Sequence, residues 1–254
     1  MKATIKYIIL TAIRDKLFLG LFIVAILVIG VSKFLGITAL SEQQQMAIVY
    51  ATGAVRFLVI FGLILFISIH IRRFFETREI EVILTHPISR TKFILSYWIA
   101  TIFITVLIAI PIIIGTTLIV GVINWQGFAL WSVSLVLEGV LVSAIALFGS
   151  LILKSSVSSV IFTSCFYALA RMSAFIMATA DSPIVQSNAL IKYIAKPIFL
   201  AISAVMPRLD QFSQTSWVVY GFENNLYGFI LLQTAIYTAL LLSASIIDFR
   251  KKEF

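Results

Sequence analysis

Three ionisable side chains, Arg56, Glu138 and Arg171, stand inside long apolar runs. A charge at membrane depth costs about 2.5–3.5 kcal/mol on insertion scales and more on others, so each is a candidate functional residue. The carboxylate is the simplest partner for either guanidinium. Two readings stay open: a structural ion pair, or residues lining a subunit-facing cavity that favours an anionic head group. Lys33 lies near the end of its run, where a long stem lets the ammonium reach the interface. The remaining chemistry-bearing side chains are few. His70 and His86 are the only histidines, the first expected at a span end and the second in a loop before Pro87. There is no His-Glu-x-x-His, no Gly-x-Ser-x-Gly and no intramembrane aspartate pair, so nucleophile, base and metal ligands do not converge. Ser155, Ser156, Ser158 and Ser159 have no base near them in sequence and read as a polar turn that starts a helix. The hydroxyls of Thr116 and Thr117 are expected to bond back to their own helix. Cys165, the single cysteine, reads as a packing residue. Neither catalysis nor a bound metal is expected of this chain.

The elements that must position these charges follow from composition. Of 254 residues, 61% are hydrophobic and 12% charged, with a mean hydropathy of +1.10. Soluble proteins carry roughly 45–50% apolar and about 25% charged residues, which leaves too little polar material here to cover a water-facing surface. A bilayer core of about 30 Å takes roughly 20 helical residues, and six runs approach or exceed that length: 17–36, 49–71, 93–123, 130–153, 159–180 and 226–247. The expected fold is an all-α membrane protein with six transmembrane helices in a single domain over 1–254. The first run is too long for a signal-peptide core, and no small-x-small site follows it before the polar Ser41–Gln45 stretch, so it is expected to be retained.

Orientation follows from the basic residues. Lys2, Lys6, Arg14 and Lys16, then Arg72, Arg73, Arg78, Arg90 and Lys92, then Lys154, then Arg250, Lys251 and Lys252 all fall on one side of six crossings. The other side has only Lys192, Lys196 and Arg208. The positive-inside rule places both termini in the cytoplasm. The same distribution accounts for the net charge of +8 and the pI near 9.7, and no basic–aromatic groove points to nucleic acid.

Two segments need a finer reading. In residues 2–16, Ile5, Ile8, Ile9, Ala12 and Ile13 share one helical face with Lys2, Lys6 and Arg14 away from it, the pattern of an interfacial helix. Residues 181–225 are too long for a simple loop, yet a crossing at 187–206 would put the basic tail outside. Lys192, Lys196, Pro197 and Pro207 interrupt its apolar run, which favours re-entrant helices on the outer side.

The richest polar segment is the 72–90 loop. Arg72 and Glu76 form an i,i+4 opposite-charge pair, Ile80, Ile83 and Leu84 make one apolar edge, and Pro87 ends the helix. A charged helix with a narrow apolar ridge suits docking in a protein groove, and a solvated loop that only fixes topology is the alternative. The run from Glu76 to Arg90, ending Leu84-Thr85-His86-Pro87-Ile88-Ser89-Arg90 and followed by Lys92 and a span, resembles the signature loop of type-2 ABC transporter permeases. The Arg14-Asp15-Lys16 sequence ahead of the first span, the Met206–Phe212 outer segment and the Phe249–Phe254 tail resemble the same family in order and spacing. His86 departs from that pattern, which has a small or polar residue there.

The resemblance implies a membrane-spanning exporter subunit that pairs with a second permease copy or a paralogue above two ABC ATPase subunits, in the plasma (inner) membrane of a prokaryote. It makes the Glu76–Pro87 segment the coupling helix, with Glu76, Arg78, Glu79, Ile80, Glu81, Ile83, Leu84, Pro87 and Arg90 meeting the ATPase. Residues 2–16 become a connecting helix and 181–225 an outer re-entrant pair. ATP and Mg would be bound by the partner, since no Gly-x-x-x-x-Gly-Lys occurs in this chain. Membrane lipid is the remaining expected partner, and an ion channel or receptor-like protein with no ATPase is the alternative function.

Overall fold

The computed structural model describes residues 2–14, 16–77, 89–180, 193, 197–198, 201, 205–222 and 226–251. Among them the regular structure is helical, with no strand. α1 spans Lys2–Arg14, α2 Lys16–Ile37, α3 Gln43–Glu76, α4 Arg90–Ile119, α5 Trp125–Ile152, α6 Ser156–Arg171 and α7 Ser173–Ala180. A 3-10 turn at Leu209–Phe212 and the short α8 at Trp217–Tyr220 precede α9, Leu226–Lys251.

Five of these helices, α2, α3, α4, α5 and α9, are long and apolar enough to cross a membrane, which is consistent with a multi-pass membrane protein. The expected span 159–180 is instead two helices, bent by 54° where α6 gives way to α7. The Met172 amide still reaches the Ala168 and Leu169 carbonyls, so the chain turns there without a proline or glycine. The other runs agree in place but not in length. α3 starts ahead of 49 and continues through Arg72 to Glu76, because the flanking glutamines and arginines are adequate helix formers even though they are polar.

α3 and α5 form the centre. Within their most apolar windows 67% and 78% of residues are buried by the chain itself, against 28% in α2 and α9, so the chain leaves most of the surface of these last two uncovered. α2 lies along α3, α4 and α9 lie along α5, and α6 packs on both central helices. Small residues permit the close approaches. A Cβ on Gly139 of α5 would come within 2.5 Å of the Thr105 methyl on α4, and one on Gly127 within 1.7 Å of the Trp217 carbonyl oxygen. Gly127 thereby lets α8 and the 3-10 turn close over the start of α5, burying Leu209, Phe212, Trp217 and Val218. That capping arrangement is what the described part of 181–225 adopts.

α1 packs along α4. Its buried edge is Thr4, Ile8 and Ala12, with Ile5 and Ile9 half-buried. Ile13, expected on that face, is instead 53% exposed because the i, i+4, i+8 stripe turns away from it by the last turn.

Candidate functional site

The charge cluster is built by three helices. α3 supplies Arg56, α5 supplies Glu138, and the last turn of α6 supplies Tyr167 and Arg171. Arg56 Nη1 donates to Glu138 Oε2, and both side chains are fully buried. Arg56 Nη2 donates to the Ser134 hydroxyl at 2.8 Å and the Trp131 carbonyl at 3.1 Å. The guanidinium lies 5.5 Å from the centre of the Trp131 ring, which adds a cation–π contact. On the other side of the carboxylate, the Tyr167 hydroxyl donates to Oε1 at 2.9 Å and Arg171 Nη1 approaches the same oxygen at 3.3 Å. Arg171 is 19% exposed and rests 5.4 Å from the Phe57 ring centre.

Both carboxylate oxygens are thus occupied, and two guanidiniums face one carboxylate. Low dielectric strengthens every bond in such a network and also raises the cost of leaving any member alone. Its depth follows from helix rise. The sixteen residues from Arg56 to Arg72 climb about 24 Å, and the fifteen from Glu138 to Leu153 about 22 Å, at 1.5 Å each. The two measures agree because Arg72 donates to the Leu153 and Lys154 carbonyls at the end of α5.

The cluster sits where α6 breaks. Immediately beyond the break the Ser173 hydroxyl donates to Asp210 Oδ1 at 2.5 Å, and Arg208 meets Asp210 Oδ2 at 3.3 Å. A broken helix flanked by charges occurs in membrane proteins where irregular backbone is covered by protein or water. Along α6 in the opposite direction runs a second polar line. Ser159 bonds Ser150 of α5 at 2.7 Å and donates to Ser68 of α3 at 3.3 Å, tying the same three helices again.

The expected site residues fall into three sets. Arg56, Glu138 and Arg171, separated by up to 115 positions, are brought into one network. Glu76 ends α3 and is exposed, while Arg90 begins α4 and donates to the Phe249 and Arg250 carbonyls at 3.1 Å each. Arg78, Glu79, Ile80, Glu81, Ile83, Leu84 and Pro87 lie outside the described residues. Arg72 is not paired with Glu76, since its head turns to the two α5 carbonyls instead. The serine at the α4 start behaves as a cap: Ser89 accepts from the Lys92 amide at 3.3 Å.

His70, expected at a span end, is buried between helices: Nδ1 lies 2.9 Å from the Tyr97 hydroxyl and the ring stacks on Phe66. The helix runs on past it to Glu76. Thr116 and Thr117 do bond to their own helix, through the Ile112 and Ile114 carbonyls. Cys165 is exposed on α6 and does not pack in the core.

Sequence reasoning missed Tyr167, Ser134, Trp131 and Asp210. A signal existed for two of them. Tyr167 precedes Arg171, and Ser134 precedes Glu138, by four residues, which is one helical turn on the same face. Among the described residues no group of three or more His, Cys, Asp or Glu side chains is placed to hold a metal ion. The cluster ties three helices together and carries one excess positive charge. The chain matches no protein-family model and no curated protein in sequence.

Proposed function

We propose that this chain is the membrane-spanning permease subunit of an ATP-driven ABC exporter. It works as a dimer with a second copy or a paralogue, in the plasma membrane of a prokaryote, above two separate ATPase chains that bind ATP and Mg. In this reading the bent pair α6–α7 is the fifth of six spans, both termini are cytoplasmic, α1 is the connecting helix, the loop from Glu76 to Arg90 meets the ATPase, and 181–225 closes the outer side.

The observation that carries the reading is how the two flanks of that loop are held. Arg72, before it, donates to the Leu153 and Lys154 carbonyls just past the end of α5, and Arg90, after it, donates to two carbonyls in the last turn of α9. Arg250 returns a bond to Thr91 at 3.1 Å, and Phe93 stacks on Phe249. A helix C-terminus carries partial negative charge and unsatisfied carbonyls, so a guanidinium there is a firm attachment. Movement forced on the loop would pass to α5, which holds Glu138, and to α9. That is the mechanical property a coupling loop needs. The charge cluster at the α6 break joins α3, α5 and α6, so such a movement reaches all three helices.

The test is affinity purification of the tagged chain from its own host in mild detergent, with its companions identified and their ATP hydrolysis measured. Recovery of an ATPase with a Walker motif, whose stimulation is lost when Glu79 and Glu81 are replaced by Gln, supports the reading. A chain recovered alone across several detergents, with no nucleotide-dependent companion, would favour a channel or receptor.

A further inference from the structure

A shallow groove of about 270 Å³ opens on the side of the bundle between the segment carrying Met206 and Arg208 and the outward face of α9. Its walls are mainly Phe229, Leu232 and Ile236, and its polar side chains are Arg208, Gln233 and Tyr237. Two of these carry an unused polar atom shielded from solvent. Arg208 gives one nitrogen to Asp210, yet among the described residues its Nε donor has no partner, and the Gln233 Oε1 acceptor has none either. Asp210 is not free to help, because its other oxygen takes the Ser173 hydroxyl.

The groove also has a definite depth. Gln233 stands eighteen residues, about 27 Å, before Lys251 along α9. Lys251 follows Arg250, which with Arg90 marks one polar boundary of the bundle. A hydrocarbon core of about 30 Å then puts Gln233 and Arg208 near its opposite edge, next to the head-group layer that holds the lipid phosphates. From there Ile236 and, beyond the groove, Leu240 at 61% exposed continue an apolar track toward the bilayer centre.

Charge favours an anion. Among the described residues the neighbouring Arg56, Arg171 and Arg208 stand against Glu138 and Asp210, one positive charge in excess at this level. We infer that the groove binds a glycerophospholipid with an anionic, hydroxyl-bearing head group, its phosphate on the Arg208 guanidinium and a head-group hydroxyl donating to Gln233 once these two side chains turn into the groove, and an acyl chain along Leu232 and Ile236. A zwitterionic choline lipid offers no donor for Gln233 and no net charge for Arg208. This inference stands independently of the exporter reading.

The experiment is native mass spectrometry of the detergent-solubilised protein titrated with phosphatidylglycerol or phosphatidylcholine of identical acyl chains. Wild type is expected to retain phosphatidylglycerol about tenfold better, the effect of one charge-assisted bond. The double variant Arg208→Gln/Asp210→Asn, which leaves no unpaired charge behind, is expected to lose that preference, and Gln233→Leu to weaken it. Lys33→Gln, an exposed cation elsewhere in the apolar surface, is expected to keep it. If the double variant fails to fold, Gln233→Leu decides the matter alone. Equal retention of the two lipids, an unchanged preference in Gln233→Leu, or a dimer that excludes lipid by covering α9 would each overturn the inference.

Discussion

Glu138→Gln is the most informative perturbation of the charge cluster. The carboxylate holds Arg56 through one oxygen and Tyr167 and Arg171 through the other, and Arg56 has no access to solvent. Gln preserves the shape and one acceptor oxygen but leaves the Arg56 charge buried without a counter-ion, beside the neutral acceptors of the Ser134 hydroxyl and the Trp131 carbonyl. Removing one partner of a buried pair costs about 3–5 kcal/mol. Arg171 adds little to this figure, because it is partly exposed and can turn toward the surface. Adding Arg56→Met removes the orphaned charge and fills its volume, so the double variant is expected to recover at least about 1.5 kcal/mol relative to Glu138→Gln. The assay is thermal unfolding in detergent for wild type, both single variants and the double variant, followed by the loss of monodisperse protein at one heating rate. Effects that add within about 0.5 kcal/mol would mean that Arg56 and Glu138 do not depend on each other, and the argument from burial would fail.

Further outcomes follow from other contacts. Gly127→Ala is expected to lower thermal stability by about 1–3 kcal/mol, since the new methyl meets the Trp217 carbonyl and forces α8 off α5; an unchanged melting curve would be evidence against that packing. Arg72→Gln is expected to cost about 1–3 kcal/mol and to raise hydrogen exchange at the amides of the α5–α6 junction, because Leu153 and Lys154 lose their donor. Tyr97→Phe leaves the His70 ring nitrogen without its hydroxyl partner inside the bundle, and a stability loss of about 1–3 kcal/mol is expected, against near zero if His70 faced solvent. Reporter fusions at the two termini are expected to place both on the cytoplasmic side, and opposite sides would require an odd number of crossings.

The parts of this architecture that were legible in the sequence are those governed by a single strong physical rule. Twenty apolar residues in a row have few soluble alternatives, so five of the six expected runs coincide with single long helices. A lone carboxylate in such a run must find a cation, which made the Glu138 partnership with the arginines readable across 82 positions to Arg56. Helix ends were less legible, because hydropathy reports where lipid stops and not where hydrogen bonding stops. Arg72 and Glu76 therefore read as loop although α3 continues through them. The break at Met172 carries no proline or glycine, and only the tertiary contacts of Arg171, Ser173 and Asp210 mark it. The burial of His70 was not legible either: its partner Tyr97 is on another helix, and polar residues buried through tertiary hydrogen bonds leave no periodic trace.

The central claim is that the loop between α3 and α4 bears on an ATPase. Its most direct test is site-specific photo-crosslinking from position 83, with a photoreactive amino acid replacing Ile83 in the tagged chain expressed in its own host. The expected product joins this chain to a nucleotide-binding ATPase, at a yield that changes when a non-hydrolysable ATP analogue is added to the membranes. Crosslinks only to lipid or to the chain itself, with the protein present and correctly inserted, would contradict the claim.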